Sequence, residues 1–299
     1  MSTGLATRDD PNGEARVGGT PGGASSGGGV RWLVACDLDQ TLVYSRRAFR
    51  LPEGVGEPPL RTAEIYDGAP SGFTTVRAAA LLRRLAARAA FVPVTTRTLE
   101  QYRRIDLGVR PRCAVVANGG TLVVDGEPDP SWQRAVEARL AGSGASLHAV
   151  LELAEQVADP AWVRTMRVAD GLFVYLVAHA REQIPDLSEL ATRLVADGWT
   201  LSVQGRKVYL VPAALTKQAA LAEVAGRVGA GAVAAAGDSL LDAGMLEAAE
   251  AAVRPAHGEL HDADWRRPHV RVTTAAGLLG GEQVLEHLLA VTGITVAAG

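Results

Sequence analysis

The sequence predicts an α/β protein in which a parallel sheet core carries an inserted α+β cap domain. Three observations lead there. Short apolar runs that stop abruptly at polar residues alternate with amphipathic helical stretches over residues 30–124. That alternation is the pattern of a parallel sheet with right-handed crossovers. Over residues 125–212 the texture changes to hairpin-like strand pairs joined by a helix, and over 213–299 the first pattern returns. The reading is a Rossmann-like core of 30–124 and 213–299, with 125–212 inserted into it.

Taken in order, Trp32 to Cys36 is the first strand, an unbroken apolar run suited to burial on both faces. Tyr44 to Phe73, dense in Pro and Gly, reads as a long irregular insertion and a candidate flap over the strand end. Thr74 to Arg88 sets Val76, Ala79, Leu82 and Leu85 on one helical face with arginines between them. Ala90 to Val94 is a second strand, Leu99 to Leu107 a short helix, and Cys113 to Ala117 a third parallel strand.

In the insertion, Ser131 to Leu140 and Leu147 to Val157 read as helices. Trp162 to Val168 and Leu172 to His179 pair around the turn dipeptide Asp170-Gly171. Leu187 to Asp197 is a helix stopped by Gly198, and Trp199 to Val203 pairs with Val208 to Val211. Beyond it come a helix (Thr216 to Val228), a strand (Ala230 to Ala236) and a short helix (Met245 to Glu250). Strands at Ala251 to Arg254 and Val270 to Thr273 and a helix at Glu282 to Val291 close the chain.

A chain of 299 residues, 47% hydrophobic, can bury a sizeable core. Its formal net charge of -3 gives no electrostatic case for nucleic acid or an anionic membrane. No apolar run is long enough to span a bilayer, and residues 1–29, rich in Gly, Ser and charge, read as a disordered tail without a secretory signal. Two cysteines, Cys36 and Cys113, exclude a disulfide framework. They lie in apolar runs, so they read as buried structural thiols in a reducing, cytoplasmic setting.

The chemistry sits where strands end. Asp37 and Asp39 follow the first strand in the run Asp37-Leu38-Asp39-Gln40-Thr41. Two carboxylates this close at a buried strand end repel, and a divalent cation is one natural compensation; a turn or helix cap is the structural alternative. Thr95 ends the second strand, where a hydroxyl beside the free amides of a helix start makes an anion site or an N-cap. Lys217 lies in the first turn of its helix, against the dipole, a placement that a bound anion would explain. Gly237-Asp238-Ser239 ends the small-residue strand, with Asp242 four residues after Asp238 on the same side.

These segments, in this order, resemble the four motifs of the haloacid dehalogenase-like hydrolase superfamily: Asp37 to Thr41, Thr95, Lys217, and Asp238 with Asp242. Asn118-Gly119-Gly120 and the stretch from Val208 to Leu221 resemble its branch with a large cap, which includes sucrose-phosphate phosphatase. Thr96 departs from the Gly common there, and the insertion after Val43 is longer than that branch leads one to expect. The resemblance implies a magnesium-dependent phosphatase acting on a small phosphorylated metabolite, a sugar or polyol phosphate, with no nucleic-acid or membrane partner. Asp37 would be the nucleophile and Asp39 the general acid and base. Thr95, Thr96 and Lys217 would hold the phosphoryl group; Asp37, Asp39, Asp238 and Asp242 would hold Mg2+. Arg97, Asn118, Arg164, Arg167, Arg206 and Lys207 are candidate readers of the leaving group, each with an alternative as an exposed or strand-pairing side chain. His148, His179 and His257 lack ligand spacing and read as structural. A phosphomutase and a catalytically weak regulatory member are the alternatives.

Overall fold

The first strand, β1 (Trp32–Cys36), lies inside a five-stranded parallel sheet and organises what surrounds it. Described in a computed structural model over residues 31–293, the chain keeps the expected tail at 1–29 outside the described residues. After β1 come β2 (Leu60–Tyr66), β3 (Ala69–Thr75), α1 (Val76–Ala86), β4 (Ala90–Pro93) and α2 (Leu99–Arg103). Next are β5 (Cys113–Val116), β6 (Thr121–Val124) and the two-residue β7 (Glu127–Pro128). The insertion supplies α3 (Pro130–Leu140), α4 (Leu147–Val157), β8 (Val163–Ala169), β9 (Phe173–Ala178), α5 (Ser188–Ala196), β10 (Trp199–Gln204) and β11 (Lys207–Pro212). The chain then returns through α6 (Lys217–Val228), β12 (Ala232–Ala236), α7 (Ala243–Ala248), β13 (Ala251–Arg254), α8 (Glu259–Asp262), β14 (Val270–Val272) and α9 (Gly277–Val291).

The parallel sheet runs β14-β13-β12-β1-β4. Period-two alternation sorts β1 between two cores. Leu33 and Ala35 face the side packed by Leu221, Val224 and Met245 of α6 and α7, and Val34 and Cys36 face Leu81, Leu85, Val284 and Leu288 of α1 and α9. Cys36 is thereby walled into the core on the helix side, and burial pushes its thiol far above the reactive range. The alanines of β12 leave room for close packing on both faces.

Register sets the site. Cys36 lies opposite Ala236 of β12 and Pro93 of β4, so the strands end level. The Asp37 amide donates to the Ala236 carbonyl (2.9 Å) and the Val94 amide to the Cys36 carbonyl (2.8 Å). Asp37, Gly237-Asp238 and Thr95 therefore leave the sheet side by side at its carboxyl edge, where open α/β sheets place ligands.

Two expectations are corrected. Residues 44–73 are not irregular throughout: β2 and β3 form an antiparallel hairpin around Asp67-Gly68, both at positive φ. The turn signal was present, but Pro70 and Gly72 inside β3 obscured the strand. Cys113–Val116 is also no full member of the parallel sheet. It pairs antiparallel with β6, and a single parallel bridge, Val94 to Val115, ties it to the sheet edge.

The inserted unit is a four-stranded antiparallel sheet, β10-β11-β9-β8, with α4 and α5 packed on it. Asp170 (φ 46°) and Gly171 (φ 71°) make the β8–β9 turn in the left-handed conformation that two-residue hairpins require. Register pairs Tyr209 with Tyr175 and Lys207 with Val177, which places these four on one face.

Candidate active site

Buried polar groups need partners, and a buried charge needs a counter-charge. At the carboxyl edge of the sheet this rule is met only in part. Lys217 is fully buried at the first position of α6, whose start Thr216 caps by accepting from the Ala219 amide (3.2 Å). Its Nζ lies 2.5 Å from Asp37 Oδ1 and 2.6 Å from Asp242 Oδ1. The other oxygen of Asp242 accepts from the amides of Asp238 (3.1 Å) and Ser239 (2.9 Å) and from the Ser239 hydroxyl (2.7 Å). Asp242 is thus fully engaged as the anchor of Lys217.

Asp37, Asp238 and Asp242 are all buried, and one oxygen from each falls within 4.8 Å of the others. Three carboxylates face one ammonium, leaving two negative charges without compensation among the described residues. Burial pushes Asp37 up to about 7, with Lys217 opposing and Asp242 and Asp39 adding to the rise. Asp238 is raised well above the ordinary carboxylate range by burial and by Asp37 and Asp242. Oxygen donors with excess negative charge fit a hard divalent cation. Gly258 (φ +87°) encloses this pocket: a Cβ there would stand 2.4 Å from Asp238 Oδ2.

Asp39 behaves differently. Arg97 grips it with two hydrogen bonds of 2.8 Å, and a third guanidinium nitrogen donates to Glu64 (2.8 Å). Although burial works against it, the Arg97 charge holds Asp39 well below the usual carboxylate range. Glu64 reaches this place because the β2–β3 register shifts at Thr62–Glu64–Ile65, and it is buried. Arg97 therefore lines the cleft, but in this conformation its guanidinium is spent on two carboxylates.

The loop after Asp37 is held tightly. The Leu38 carbonyl accepts from the amides of Leu42 (2.9 Å) and Val43 (2.8 Å), and Gln40 turns through a positive φ of 62°. His257, unassigned from sequence beyond a structural part, braces that turn: Nε2 lies 2.8 Å from the Gln40 carbonyl, and Nδ1 accepts from the Gly277 amide (3.0 Å). That pair of bonds fixes a neutral tautomer, and burial holds the ring down to about 4. Thr95 is buried and its hydroxyl accepts from the Arg97 amide (3.1 Å). Among the described residues the amides of Leu38, Asp39 and Thr96 find no acceptor, so three donors remain beside Asp37.

Asn118 is buried: its Nδ2 donates to the Leu215 carbonyl (2.8 Å), its Oδ1 has no partner among the described residues, and Gly119 packs so closely that a Cβ would meet the Thr216 carbonyl at 2.3 Å. Asn118-Gly119 thus clasps the segment leading into Lys217 and positions it. Lys207 does line the cleft, its ammonium 5.9 Å from the ring centres of both Tyr175 and Tyr209. Its pKa is raised by Tyr209 and, against the effect of burial, by Asp39.

The cleft itself, about 830 Å³, lies between the motif loop, the β2–β3 hairpin and the open face of the antiparallel sheet. That volume suits a small molecule. Asp39 and Arg97 form part of its floor, and Lys207, Tyr209 and Val177 line it from the inserted unit.

No family model matches the chain, and no curated protein matches it in sequence. Solved structures do match in fold. The sucrose-phosphatase of Synechocystis, determined with sucrose and phosphate, is similar at a TM-score of 0.59 and 14% identity, over 88% of this chain and 98% of that one. A phosphatase of the haloalkanoate (HAD) superfamily from Bacteroides thetaiotaomicron is similar at 0.53 and 14%, over 92% and 100%. A subclass IIB sugar phosphatase of the same superfamily is similar at 0.51 and 13%, over 88% and 99%. The chain shares the fold of these structures over 88–92% of its length.

Proposed function

We propose that this chain, built on the haloacid dehalogenase fold, is a magnesium-dependent phosphatase that hydrolyses a small phosphorylated metabolite through an aspartyl-phosphate. The observation that carries the reading is the buried triad of Asp37, Asp238 and Asp242 around Lys217, which leaves charge for a divalent cation close behind Asp39 of the cleft floor.

Asp37 is the nucleophile: its oxygen attacks phosphorus as the ester oxygen leaves. Lys217 favours the ionised form that this step needs and stays protonated between two carboxylates. Thr95 and the free amides of Leu38, Asp39 and Thr96 receive the phosphoryl oxygens. Asp37 and Asp238 would hold magnesium with the Asp39 carbonyl, and Asp242 would act through Lys217. When bound, the ion neutralises the charge that gathers on the phosphoryl group. Asp39, ionised against Arg97 at rest, first takes up a proton from solvent as the phosphoryl charge arrives beside it, gives that proton to the leaving oxygen, and then takes one from the water that hydrolyses the intermediate. To do so it must exchange its bidentate contact with Arg97 for one with substrate, a release that the incoming phosphoryl anion favours by competing for the guanidinium. Residues 125–212 act as the cap, with Lys207 and Tyr209 among its contributions to the cleft lining.

The test is phosphate release from a panel of phosphomonoesters with magnesium, run in parallel on the wild type and on Asp37→Asn. Release by the wild type alone supports the reading. Retention of more than a trace of activity in Asp37→Asn removes Asp37 as nucleophile.

A further inference from the structure

We propose that Arg47 and Arg206 form a second anion subsite at the cleft wall, so that the substrate is a phosphomonoester carrying a further phosphate or carboxylate. This rests on the phosphatase reading above and adds the class of substrate. Arg47 belongs to a single helical turn, Arg46–Ala48, just after the motif loop, whereas Arg206 lies in the β10–β11 turn of the inserted unit. Both line the one cleft, from opposite parts of the chain.

Some of their neighbours are committed elsewhere, whereas Arg50 and Arg181, also in the cleft lining, have no carboxylate partner among the described residues. Arg46 pairs with Glu57 (2.9 Å), and Arg97 with Asp39 and Glu64. Glu259 accepts from the Ser202 hydroxyl (2.6 Å) and the amides of Val203 (2.7 Å) and Leu240 (3.0 Å). Glu182 and Asp262 also line the cleft, both exposed. Neither Arg47 nor Arg206 has a carboxylate within ion-pair distance among the described residues. Arg206 is half-buried and oriented: its Nη1 donates to the His179 carbonyl (3.3 Å), and its own carbonyl accepts from the Ala178 amide (2.7 Å). Burial first, and then the like charges of Arg47 and Arg164, holds its guanidinium below the usual arginine range. Arg47 and Arg164 are exposed and Arg206 half-buried; like charges gathered there are unfavourable until an anion enters, and planar guanidinium forks suit phosphate and carboxylate alike. A neutral sugar would leave both unanswered.

The experiment compares kcat/KM, with magnesium, for fructose 6-phosphate against fructose 1,6-bisphosphate and for glucose 6-phosphate against 6-phosphogluconate. It uses the wild type, Arg47→Ala, Arg206→Ala and Arg206→Lys. The wild type should favour a doubly charged member by about tenfold or more, the value of one or two charge-assisted hydrogen bonds. The preference ratio should collapse toward one in both alanine variants and survive in part in Arg206→Lys. Whichever pair carries the preference identifies the second group as phosphate or carboxylate. A wild-type ratio near one, or a ratio untouched by both alanine variants, overturns the subsite. Calorimetric binding of fructose 1,6-bisphosphate and fructose 6-phosphate to Asp37→Asn separates the two readings. Preferential binding without any wild-type hydrolysis retires the phosphatase and keeps the subsite. Hydrolysis without preference does the reverse, and absence of both overturns both.

Discussion

Replacing Arg97 by Met keeps the side chain's length and removes its charge, which isolates what the Asp39–Arg97–Glu64 contact contributes. Two charge-assisted bonds of 2.8 Å to Asp39 are lost. At ~1.5–3 kcal/mol each they sum to ~3–6 kcal/mol of anion stabilisation. The Asp39 side chain is 34% exposed, so solvent screening discounts this to ~2–4 kcal/mol. Glu64, 8% exposed, keeps only a 3.4 Å contact with Arg104 and adds to the cost. The variant should therefore unfold about 5–10 °C lower at neutral pH, taking ~2–4 °C per kcal/mol for a chain of this size. The sign with pH follows from the direction of the shift. Asp39 is depressed in the folded protein, so its contribution is present above the ordinary aspartate value of 3.8 and disappears as pH falls toward the depressed one. The gap between variant and wild type should hold from pH 8 to about 5 and narrow only near 4 and below. Thermal unfolding of both proteins across that range is the assay. A variant as stable as wild type at neutral pH, or a gap that widens in acid, refutes the reasoning.

Magnesium should stabilise the fold by ~2.7 kcal/mol at a hundredfold excess over its Kd, and by more at pH 8 than at pH 5. Asp37 is raised to about 7, so the metal-free protein is favoured by protonation below 3.8 and loses that contribution as pH climbs through 7, where the ion replaces the proton. A melting temperature indifferent to magnesium at both pH values would sink the metal assignment. Lys217→Met leaves three buried carboxylates without a cation and should cost ~3–5 kcal/mol, read by denaturant unfolding; a near-neutral effect would contradict the charge accounting. Gly258→Ala forces a methyl group within 2.4 Å of Asp238 Oδ2 at a φ of +87° and should weaken magnesium binding about tenfold or more, measured by titration. Unaltered affinity would remove Asp238 from the ligand set.

Much of the site was legible in the sequence because polar residues after a buried strand can only emerge at its carboxyl edge. Asp37, Thr95 and Asp238 each follow such a run, and the level register of β1, β4 and β12 turns three separate strand ends into one place. Lys217 was legible by its discomfort, a cation in the first turn of a helix, and Asp37 and Asp242 are what relieve it. Arg97 was seen, but not its contacts with Asp39 and Glu64. Its partner Glu64 comes into reach only through a bulge in a hairpin that Pro70 and Gly72 disguised. That Asn118 meets Leu215, far along the chain, was not legible either. His257 carried no spacing signal because its task is to hold one carbonyl, that of Gln40. Contacts made across the chain by single backbone groups leave no local pattern to read.

This division has a consequence for function. The groups placed at the phosphoryl end stand on strands buried on both faces, where a shift of one residue would turn a side chain into the opposite core. Their identity and geometry are therefore tightly constrained by folding itself. The groups placed at the other end of the cleft stand on a turn after the motif loop, on a hairpin, and on the β10–β11 turn of the inserted unit. Arg47 is exposed and Arg206 only half-buried. On the proposed reading, chemistry and specificity would thus be carried by parts of the chain under different physical constraints. The first can be inferred from strand-end residues, whereas the second needs the spatial meeting of two distant turns: Arg206 was legible alone, its company with Arg47 only in three dimensions.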